Sequence, residues 1–319
     1  MYLAPDGHEI EIAEAAAAFV ADVMPIARLH APGSADLGAG ARQRFGEMGW
    51  FALALAESAG GSGLSPVEHA LFFREAGRQC GPVDLLAQCL AANLGGQSDI
   101  VSGAQGVALL VADGEAWRLL GAADSAFAIL VTPGEALLYP LAGLQAAARS
   151  ALDPANSLHL LAALPDPVAR LAGDRLWQLG QLGAAAMLVG VAEAALDLIV
   201  DYAKIRETFG RKIGSWQAVR HPCADMAVRI EAARAQLWYA AAATKEERGD
   251  AATHLDVAKH LANCAALACT DATIQLHGGI GVTDEHDAHL LLKHALLLSR
   301  LFGAKRALLG SLLLSVLED

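Results

Sequence analysis

The sequence predicts a mostly α-helical protein with a small β-rich segment in the middle and a bundle of four helices at the C-terminal end. Three observations lead to this prediction. Residues 1–105 and 169–319 are rich in Ala and Leu at helical spacing, residues 106–168 hold short apolar runs between turn signals, and 55% of the 319 residues are hydrophobic. A chain of this length and composition can bury a substantial core and form one large domain or two to three smaller ones.

The first predicted domain, residues 1–105, is helical. Its helices are interrupted at residues 31–34 (Ala-Pro-Gly-Ser) and at residues 60–63 (Gly-Gly-Ser-Gly). A glycine-rich loop can cradle a phosphate group, but no strand precedes this one as it does in a P-loop. We therefore interpret residues 60–63 as a loop between two helices.

The second predicted domain, residues 106–168, is a short β-domain. Apolar runs occupy residues 106–112 and 126–132, and each is followed by a turn dipeptide, Asp113-Gly114 or Pro133-Gly134. Runs of this length between such dipeptides are typical of strands joined by tight turns.

The third predicted domain, residues 169–319, returns to helical spacing. Its first helix carries a polar stripe on an otherwise apolar surface, which is typical of a bundle helix. The stripe consists of Glu193, Asp197, Asp201 and Lys204. The other three helices are expected from His221-Pro222 to about Gly249, from Ala251 to about Gly278, and from Asp287 to Val316 with a break near Gly303.

Charge and cysteine content narrow the class of protein. A formal net charge of −12 argues against a nucleic-acid partner or an anionic membrane surface, because both require clustered Lys and Arg. The acidic N-terminal residues do not fit an export signal, and charged residues interrupt the long apolar segments, so we expect a cytoplasmic protein with no membrane span. The five scattered cysteines are expected to be reduced and mostly buried.

Two motifs carry functional information. Residues 201–226 (DYAKIRETFGRKIGSWQAVRHPCADM) fix Arg206, Phe209 and Gln217 at unequal intervals that no amphipathic repeat would generate. Residues 275–281 (QLHGGIG) follow downstream. Together the two segments resemble the acyl-CoA dehydrogenases, flavoproteins that desaturate acyl-CoA thioesters. The resemblance implies that family's fold, with an N-terminal helical domain, a middle β-domain that is reduced here, and a C-terminal four-helix bundle.

The resemblance also implies FAD as the cofactor and a set of residues that reach a flavin held mainly by a neighbouring subunit. Taken without the resemblance, Arg206 reads as a helix C-cap, and the three glycines read as the end of a helix. The implied cofactor-binding residues are Arg206, Phe209, Gln217, Gln275, Gly278, Gly279 and Gly281.

No catalytic residue is predicted. The family draws its proton-abstracting Glu from one of two positions, and the matching positions here are Phe302 and Gly180, neither of which can accept a proton. Ala304 stands where the family usually has a Thr that contacts the flavin. Other carboxylates that could act as displaced bases are interpreted as solvated or ion-paired; these are Glu193, Glu207 and Glu285.

Histidines at residues 254 and 260, beside Asp256, and at residues 286, 289 and 294 have spacings that could bring ligands to one helix face. Neither set supplies a complete group of ligands, so no metal site is predicted.

The resemblance therefore implies a non-catalytic subunit that completes the FAD site of a catalytic acyl-CoA dehydrogenase partner, in a complex expected to be a heterotetramer. Its implied substrate is an acyl-CoA, its implied electron acceptor is an electron-transfer flavoprotein, and enzymes acting on steroid side chains are the subgroup it resembles. Two alternatives stay open. One is a self-sufficient homo-oligomeric dehydrogenase with an unidentified base, and the other is a non-enzymatic acyl-CoA-binding or scaffold protein.

Overall fold

The computed structural model describes residues 5–31, 36–95, 97–114 and 116–315. The predicted interruption at residues 31–34 lies mostly outside these ranges, as does the expected end of the last helix at Val316.

The N-terminal region is helical, as predicted. Two of its helices begin with a capping box, in which Asp6 and Glu9, or Ser65 and Glu68, satisfy each other's backbone N–H groups. The predicted loop at residues 60–63 lies just before the second of these boxes and joins a short 3-10 turn to the helix. The helices are α1 (Gly7–Val23), α2 (Ala39–Glu47), α3 (Pro66–Arg78), α4 (Val83–Ala92) and α5 (Ser98–Val101).

The middle of the chain forms a seven-stranded sheet in the order β5-β6-β2-β1-β3-β4-β7. Only β1 and β3 pair in parallel; the other neighbours are antiparallel. The last strand lies just beyond residue 168, where the sequence analysis places a domain boundary. The strands are β1 (Val107–Asp113), β2 (Ala116–Leu120), β3 (Phe127–Thr132), β4 (Glu135–Pro140), β5 (Ala147–Arg149), β6 (Leu158–Leu161) and β7 (Ala169–Ala172).

The C-terminal region is a helix bundle, and a short hairpin of strands β8 (Glu207–Thr208) and β9 (Arg211–Lys212) follows its first helix. The second helix starts at Gln217, earlier than expected, so Pro222 lies inside it rather than at its first turn. The break near Gly303 occurs as predicted. The helices are α6 (Arg175–Ile205), α7 (Gln217–Lys245), α8 (Ala251–His277), α9 (Ala288–Leu298) and α10 (Lys305–Leu312).

Helix α6 is the centre of the bundle, and its backbone approaches that of α3 closely at two glycines. A Cβ atom on Gly77 would lie 2.0 Å from the Met187 carbonyl oxygen, and one on Gly190 would lie 1.9 Å from that of Arg74. The two backbones are therefore in direct contact at both glycines.

The expectation that no segment is apolar enough to cross a membrane needs correction for α6. Among the described residues it is the one helix long and apolar enough for a span, because its charged residues cluster toward its C-terminal end. Its most apolar stretch is 72% buried by the other elements of the fold, as in the core helix of a bundle.

Candidate cofactor and catalytic sites

The first candidate site is the arginine hairpin, residues 206–212. Arg206 is the C-cap of α6, as the sequence predicts, and its N–H donates to the Tyr202 carbonyl at 2.9 Å. Phe209 and Gly210 form the two-residue turn between β8 and β9, with φ angles of 52° and 73°. Two consecutive positive φ angles are the geometry of a tight hairpin turn that matches strand twist. This turn presents Phe209 to solvent with 94% of its surface exposed.

The arginine hairpin carries unpaired positive charge. Lys212 forms an ion pair with Glu207 at 2.7 Å. Arg206 and Arg211 have no carboxylate within ion-pair distance among the described residues, and Arg211 lies over the Trp216 ring at 4.9 Å. Gln217, the third predicted cofactor contact, is exposed at the first residue of α7. Exposed guanidinium groups beside a helix N-terminus are suited to an anionic ligand.

The second candidate site is the glycine turn, residues 275–282, at the end of α8. Gln275, Gly278 and Gly279 are exposed, and a Cβ atom on either glycine would meet nothing within 4 Å. Their backbone is thus open to a ligand. Gly281 differs because it is buried, and a Cβ there would lie 2.9 Å from the Ile274 carbonyl oxygen. Gly281 is therefore needed for the turn to pack on its own helix.

The two segments are far apart in sequence but connected in the structure. The ring of Tyr202, on the last turn of α6, lies 4.5 Å from the ring of His277, which directly precedes Gly278. Sequence reasoning did not identify this contact, because neither residue stood out from the motif around it.

The two positions matched to the family's catalytic base face each other. Gly180 is buried on α6, and a Cβ atom there would lie 2.3 Å from Cε1 of Phe302. The Phe302 ring, only 7% exposed, also packs against the Trp177 ring at 5.6 Å. One aromatic side chain thus occupies the space of both positions, and the described structure places no carboxylate at either.

The backbone at Phe302 has an unusual conformation, and hydrogen bonds from Lys259 hold the segment that contains it. Phe302 and Gly303 have φ angles of 50° and 114°, so the chain turns sharply here. The ammonium group of Lys259, fully buried on α8, donates to the carbonyl oxygens of Leu298 at 3.1 Å and Gly303 at 3.5 Å, and to Asn263 Oδ1 at 2.7 Å. Burial lowers the pKa of Lys259 to about 7. Since its amine already has three acceptors and no exposure, Lys259 does not serve as an accessible base.

A cleft of about 330 Å³ lies next to this segment. Trp177, Gln181 and Gly303 line it, together with the carboxylate of Asp256. Gln181 Nε2 donates to Asp256 Oδ1 at 2.8 Å. Asp256 was considered from the sequence only as part of a metal-ligand pattern, and its place in this cleft emerges from the packing of α8 on α6.

The other candidate bases have different partners. Glu193 is buried and forms ion pairs with Arg74, Arg78 and Arg234 at 2.7, 3.4 and 3.6 Å. Glu207 pairs with Lys212, which lowers its pKa, and Glu285 is exposed. These positions agree with the interpretation of the three residues as ion-paired or solvated.

The histidines and cysteines of the described ranges do not form a metal centre. No group of three or more His, Cys, Asp or Glu side chains there is arranged to hold a metal ion. All five cysteines are free thiols, and Cys80, Cys89 and Cys269 are buried.

The residues present fit the outer part of an anionic dinucleotide. Arg206 and Arg211 supply unpaired charge, Phe209 an exposed aromatic ring, and Gly278 and Gly279 an open backbone. The same residues face solvent in the single chain and enclose nothing by themselves. The chain therefore offers one wall of such a site.

Comparison with known proteins gives the family. The acyl-CoA dehydrogenase N-terminal domain matches residues 6–102, and the acyl-CoA dehydrogenase C-terminal domain matches residues 175–313. Both motifs described above lie in the second match, and the seven-stranded sheet lies between the two matches.

Individual relatives support the same family. The chain is 32% identical over 298 residues to the acyl-CoA dehydrogenase IpdE2 of Mycobacterium tuberculosis, covering 86% of this chain and 85% of that protein. It is 35% identical over 272 residues to the acyl-CoA dehydrogenase FadE34 of the same organism, covering 78% of this chain but spanning only 38% of that protein. The structure of the ChsE4-ChsE5 complex of M. tuberculosis shares the fold, with a TM-score of 0.81 at 21% identity and full coverage of both chains. Family membership supports FAD as the cofactor, and the chain belongs to the acyl-CoA dehydrogenase family.

Proposed function

We propose that this chain is a non-catalytic subunit that completes the FAD site of a catalytic acyl-CoA dehydrogenase partner. The partner would convert an acyl-CoA to the 2,3-enoyl-CoA and pass the electrons to an electron-transfer flavoprotein. The observation that carries this proposal is the contact between Phe302 and Gly180, because one ring fills both positions from which the family takes its base.

The distribution of retained and lost residues supports the proposal. The elements retained are the arginine hairpin, Gln217 and the glycine turn, which are exposed at Arg206, Phe209, Gln217, Gln275, Gly278 and Gly279, with Gly281 buried beneath the turn. The elements lost are the base, whose two positions are Phe302 and Gly180, and a flavin contact at Ala304. An exposed, incomplete wall with unpaired arginines is what a subunit would present if its ligand were held mostly by another chain.

The relatives support the kind of partner and substrate. IpdE2 and FadE34 are named as acyl-CoA dehydrogenases, and ChsE4-ChsE5 is a complex of two different components. We extend these features to the present chain as a heterotetrameric complex acting on an acyl-CoA, with steroid side chains as the substrate class to test first.

The test is the substitution Arg206→Ala in the complex with a co-expressed partner. A charge-assisted hydrogen bond contributes about 1.5–3 kcal/mol, so its loss should weaken flavin binding by roughly 10- to 100-fold. The measurement is the flavin-to-protein absorbance ratio, with thermal melts to detect damage to the end of α6. Arg149→Ala, on exposed strand β5, is the control for loss of a positive charge. An unchanged flavin ratio for Arg206→Ala would contradict the proposed role.

One observation favours the homo-oligomeric alternative strongly enough to test. Asp256 is a carboxylate in the cleft beside Gly303 and could act as a displaced base. Under the leading proposal, Asp256→Asn leaves turnover of the complex nearly unchanged. Under the alternative, it abolishes turnover by a homo-oligomer of this chain while flavin binding persists.

A further inference from the structure

Three aromatic rings connect the two candidate cofactor segments. Tyr202 packs on His277 with ring centroids 4.5 Å apart, and His277 packs on His286 at 4.4 Å. We call these three residues the ring stack. It joins the end of α6, the end of α8 and the loop that follows the glycine turn, three parts of the chain that share no strand pairing.

Each end of the ring stack is tied directly to a cofactor segment. The Tyr202 carbonyl accepts the N–H of Arg206, and the Arg206 carbonyl accepts the N–H of Ile213 at 2.8 Å, which closes the arginine hairpin. His277 and His286 lie on either side of residues 278–285, so their contact holds the two ends of that loop together. The ring contacts therefore link the last turn of α6, next to the hairpin, to the end of α8, next to the glycine turn.

The polar groups of His277 fix its orientation but leave one atom without a partner. His277 is 5% exposed, and its Nδ1–H donates to the Thr273 carbonyl at 2.7 Å, which places the other nitrogen as an acceptor. Thr273 in turn donates to the Ala195 carbonyl on α6 at 2.8 Å. Nε2 of His277 is buried and has no partner in the part of the chain that the structure describes.

We propose that the ring stack holds the arginine hairpin and the glycine turn at the relative position that one dinucleotide requires. Protonation of its histidines at acidic pH loosens this arrangement. The inference rests on the proposed function for the identity of the ligand. The geometry of the stack itself depends on the contacts given above and on the hydrogen bond that the Ala288 N–H donates to His286 Nδ1 at 3.1 Å.

The surrounding charges determine the direction of the pH effect. Burial lowers the pKa of His277 more than its hydrogen bond to Thr273 raises it, and repulsion by His286 adds to the lowering. Burial also lowers the pKa of His286; Asp287 counters this in part, and repulsion by His30 adds to it. The charged groups that act on His286 are Asp287 from the loop and His30 from the 3-10 turn Ile26–His30, and Tyr202 from α6 packs on His277. One step further out, Asp284 and Glu285 from the loop act on His30, and Lys293 acts on His289, both from α9.

The direction in which stability changes with pH follows from the number of protons that the folded and unfolded chains bind. The ordinary pKa of an unfolded histidine is about 6.5, and the folded values of His277 and His286 are lower. Below pH 6.5 the unfolded chain binds protons at these two sites that the folded chain resists, so their contribution to stability falls as pH falls. His30 works in the opposite direction, since its hydrogen bond to Asp287 at 2.6 Å raises its pKa.

The test compares His286→Phe and His286→Ala with wild type. His286→Phe keeps a ring that cannot be charged, whereas His286→Ala removes the ring. In the co-expressed complex at pH 7.5, His286→Ala should lower the flavin-to-protein ratio several-fold and His286→Phe should restore it. Between pH 7.5 and pH 5, His286→Phe should keep its flavin to a lower pH than wild type. His8→Ala, exposed on α1, is the control.

Thermal melts of the isolated chain over the same pH range need no flavin. They should show a smaller acid-induced loss of stability for His286→Phe than for wild type. A wild-type flavin ratio for His286→Ala at every pH would overturn the positioning role, and identical pH dependence of the melts would overturn the pH effect. A wild-type complex with no flavin at all would instead refute the proposed function, and the melts would then decide whether the stack responds to pH.

Discussion

At the scale of single residues, the contact between Gly180 and Phe302 is the feature with the largest consequence. A glycine inside a buried helix normally weakens it, because Gly costs about 1 kcal/mol relative to Ala in a helix interior. Here the missing Cβ makes room for an aromatic ring that lies 2.3 Å from where that atom would be. The two residues therefore depend on each other. The glycine leaves room for the ring, and the ring leaves no room for a larger side chain at residue 180.

Gly180→Ala should destabilise the protein. Overpacking against Phe302 costs about 1–3 kcal/mol, which exceeds the gain of about 1 kcal/mol in helix propensity. Chemical denaturation measures the difference. Gly310→Ala, on exposed α10 where a Cβ meets nothing within 4 Å, is the matched control and should be neutral or stabilising. Adding Phe302→Leu to Gly180→Ala should recover part of the loss; strictly additive effects would argue against the direct contact.

Phe302→Glu should not create an efficient enzyme. The substitution removes a buried ring, and truncations of buried Phe typically cost about 3–5 kcal/mol. A carboxylate there would also lack a positioned flavin and acyl group, and positioning matters as much as proton affinity. Reduction of a dye acceptor with acyl-CoA measures turnover, and Phe302→Leu controls for loss of the ring. Strong turnover by a Phe302→Glu homo-oligomer would mean that a complete local site exists.

At the scale of elements, α8 supports both the glycine turn and the segment that carries Phe302. Its C-terminal end carries the glycine turn, and Lys259 near its middle holds the segment between α9 and α10 through two backbone carbonyls. A buried amine in this position costs desolvation free energy, which hydrogen bonds to three acceptors offset in part.

Lys259→Met should flatten the dependence of stability on pH. The pKa of Lys259 is about 7 in the folded protein and about 10.4 for an unperturbed lysine. Between these values the unfolded chain binds a proton that the folded chain does not, so this site makes stability rise with pH across that window. Denaturation at pH 7, 8.5 and 10 measures the slope, with Lys204→Met on the exposed surface of α6 as control. If Lys259→Met keeps the wild-type slope, the buried amine is not its source.

At the scale of the whole molecule, the chain presents most of its proposed cofactor contacts outward, and the Phe302 ring fills the interior space where the family has its base. The isolated protein should therefore show little acyl-CoA dehydrogenation and little bound flavin, since general-base assistance alone is commonly worth about 10²–10⁴-fold in rate. Co-expression with its partner should give a yellow complex with turnover.

The absorbance spectrum of the isolated chain and of the co-expressed complex tests this prediction. A yellow, active homo-oligomer would favour the alternative with a displaced base. A colourless protein that stays colourless with every partner would favour an acyl-CoA-binding or scaffold protein.

Much of the fold could be predicted from the sequence, because periodicity and turn residues act locally. The cofactor-binding residues came from the family resemblance and stay a prediction. Helical spacing predicted the bundle, and the break near Gly303 was visible as a glycine after a long apolar run. The start of α7 was placed too late because Pro222 looked like a first-turn residue. The apolar length of α6 differs from the prediction because its charges lie in its C-terminal part and leave a long uncharged stretch before Glu193.

The sequence by itself determined the family resemblance, the residues of the arginine hairpin and glycine turn, and the absence of a carboxylate at residues 180 and 302. Only the tertiary structure decided which of these residues meet. The contact of Phe302 with Gly180, the stack of Tyr202, His277 and His286, and the place of Asp256 in a cleft all join helices distant in sequence. The local sequence pattern indicates which face of a helix is apolar, but the element that packs on that face depends on how the helices pack together.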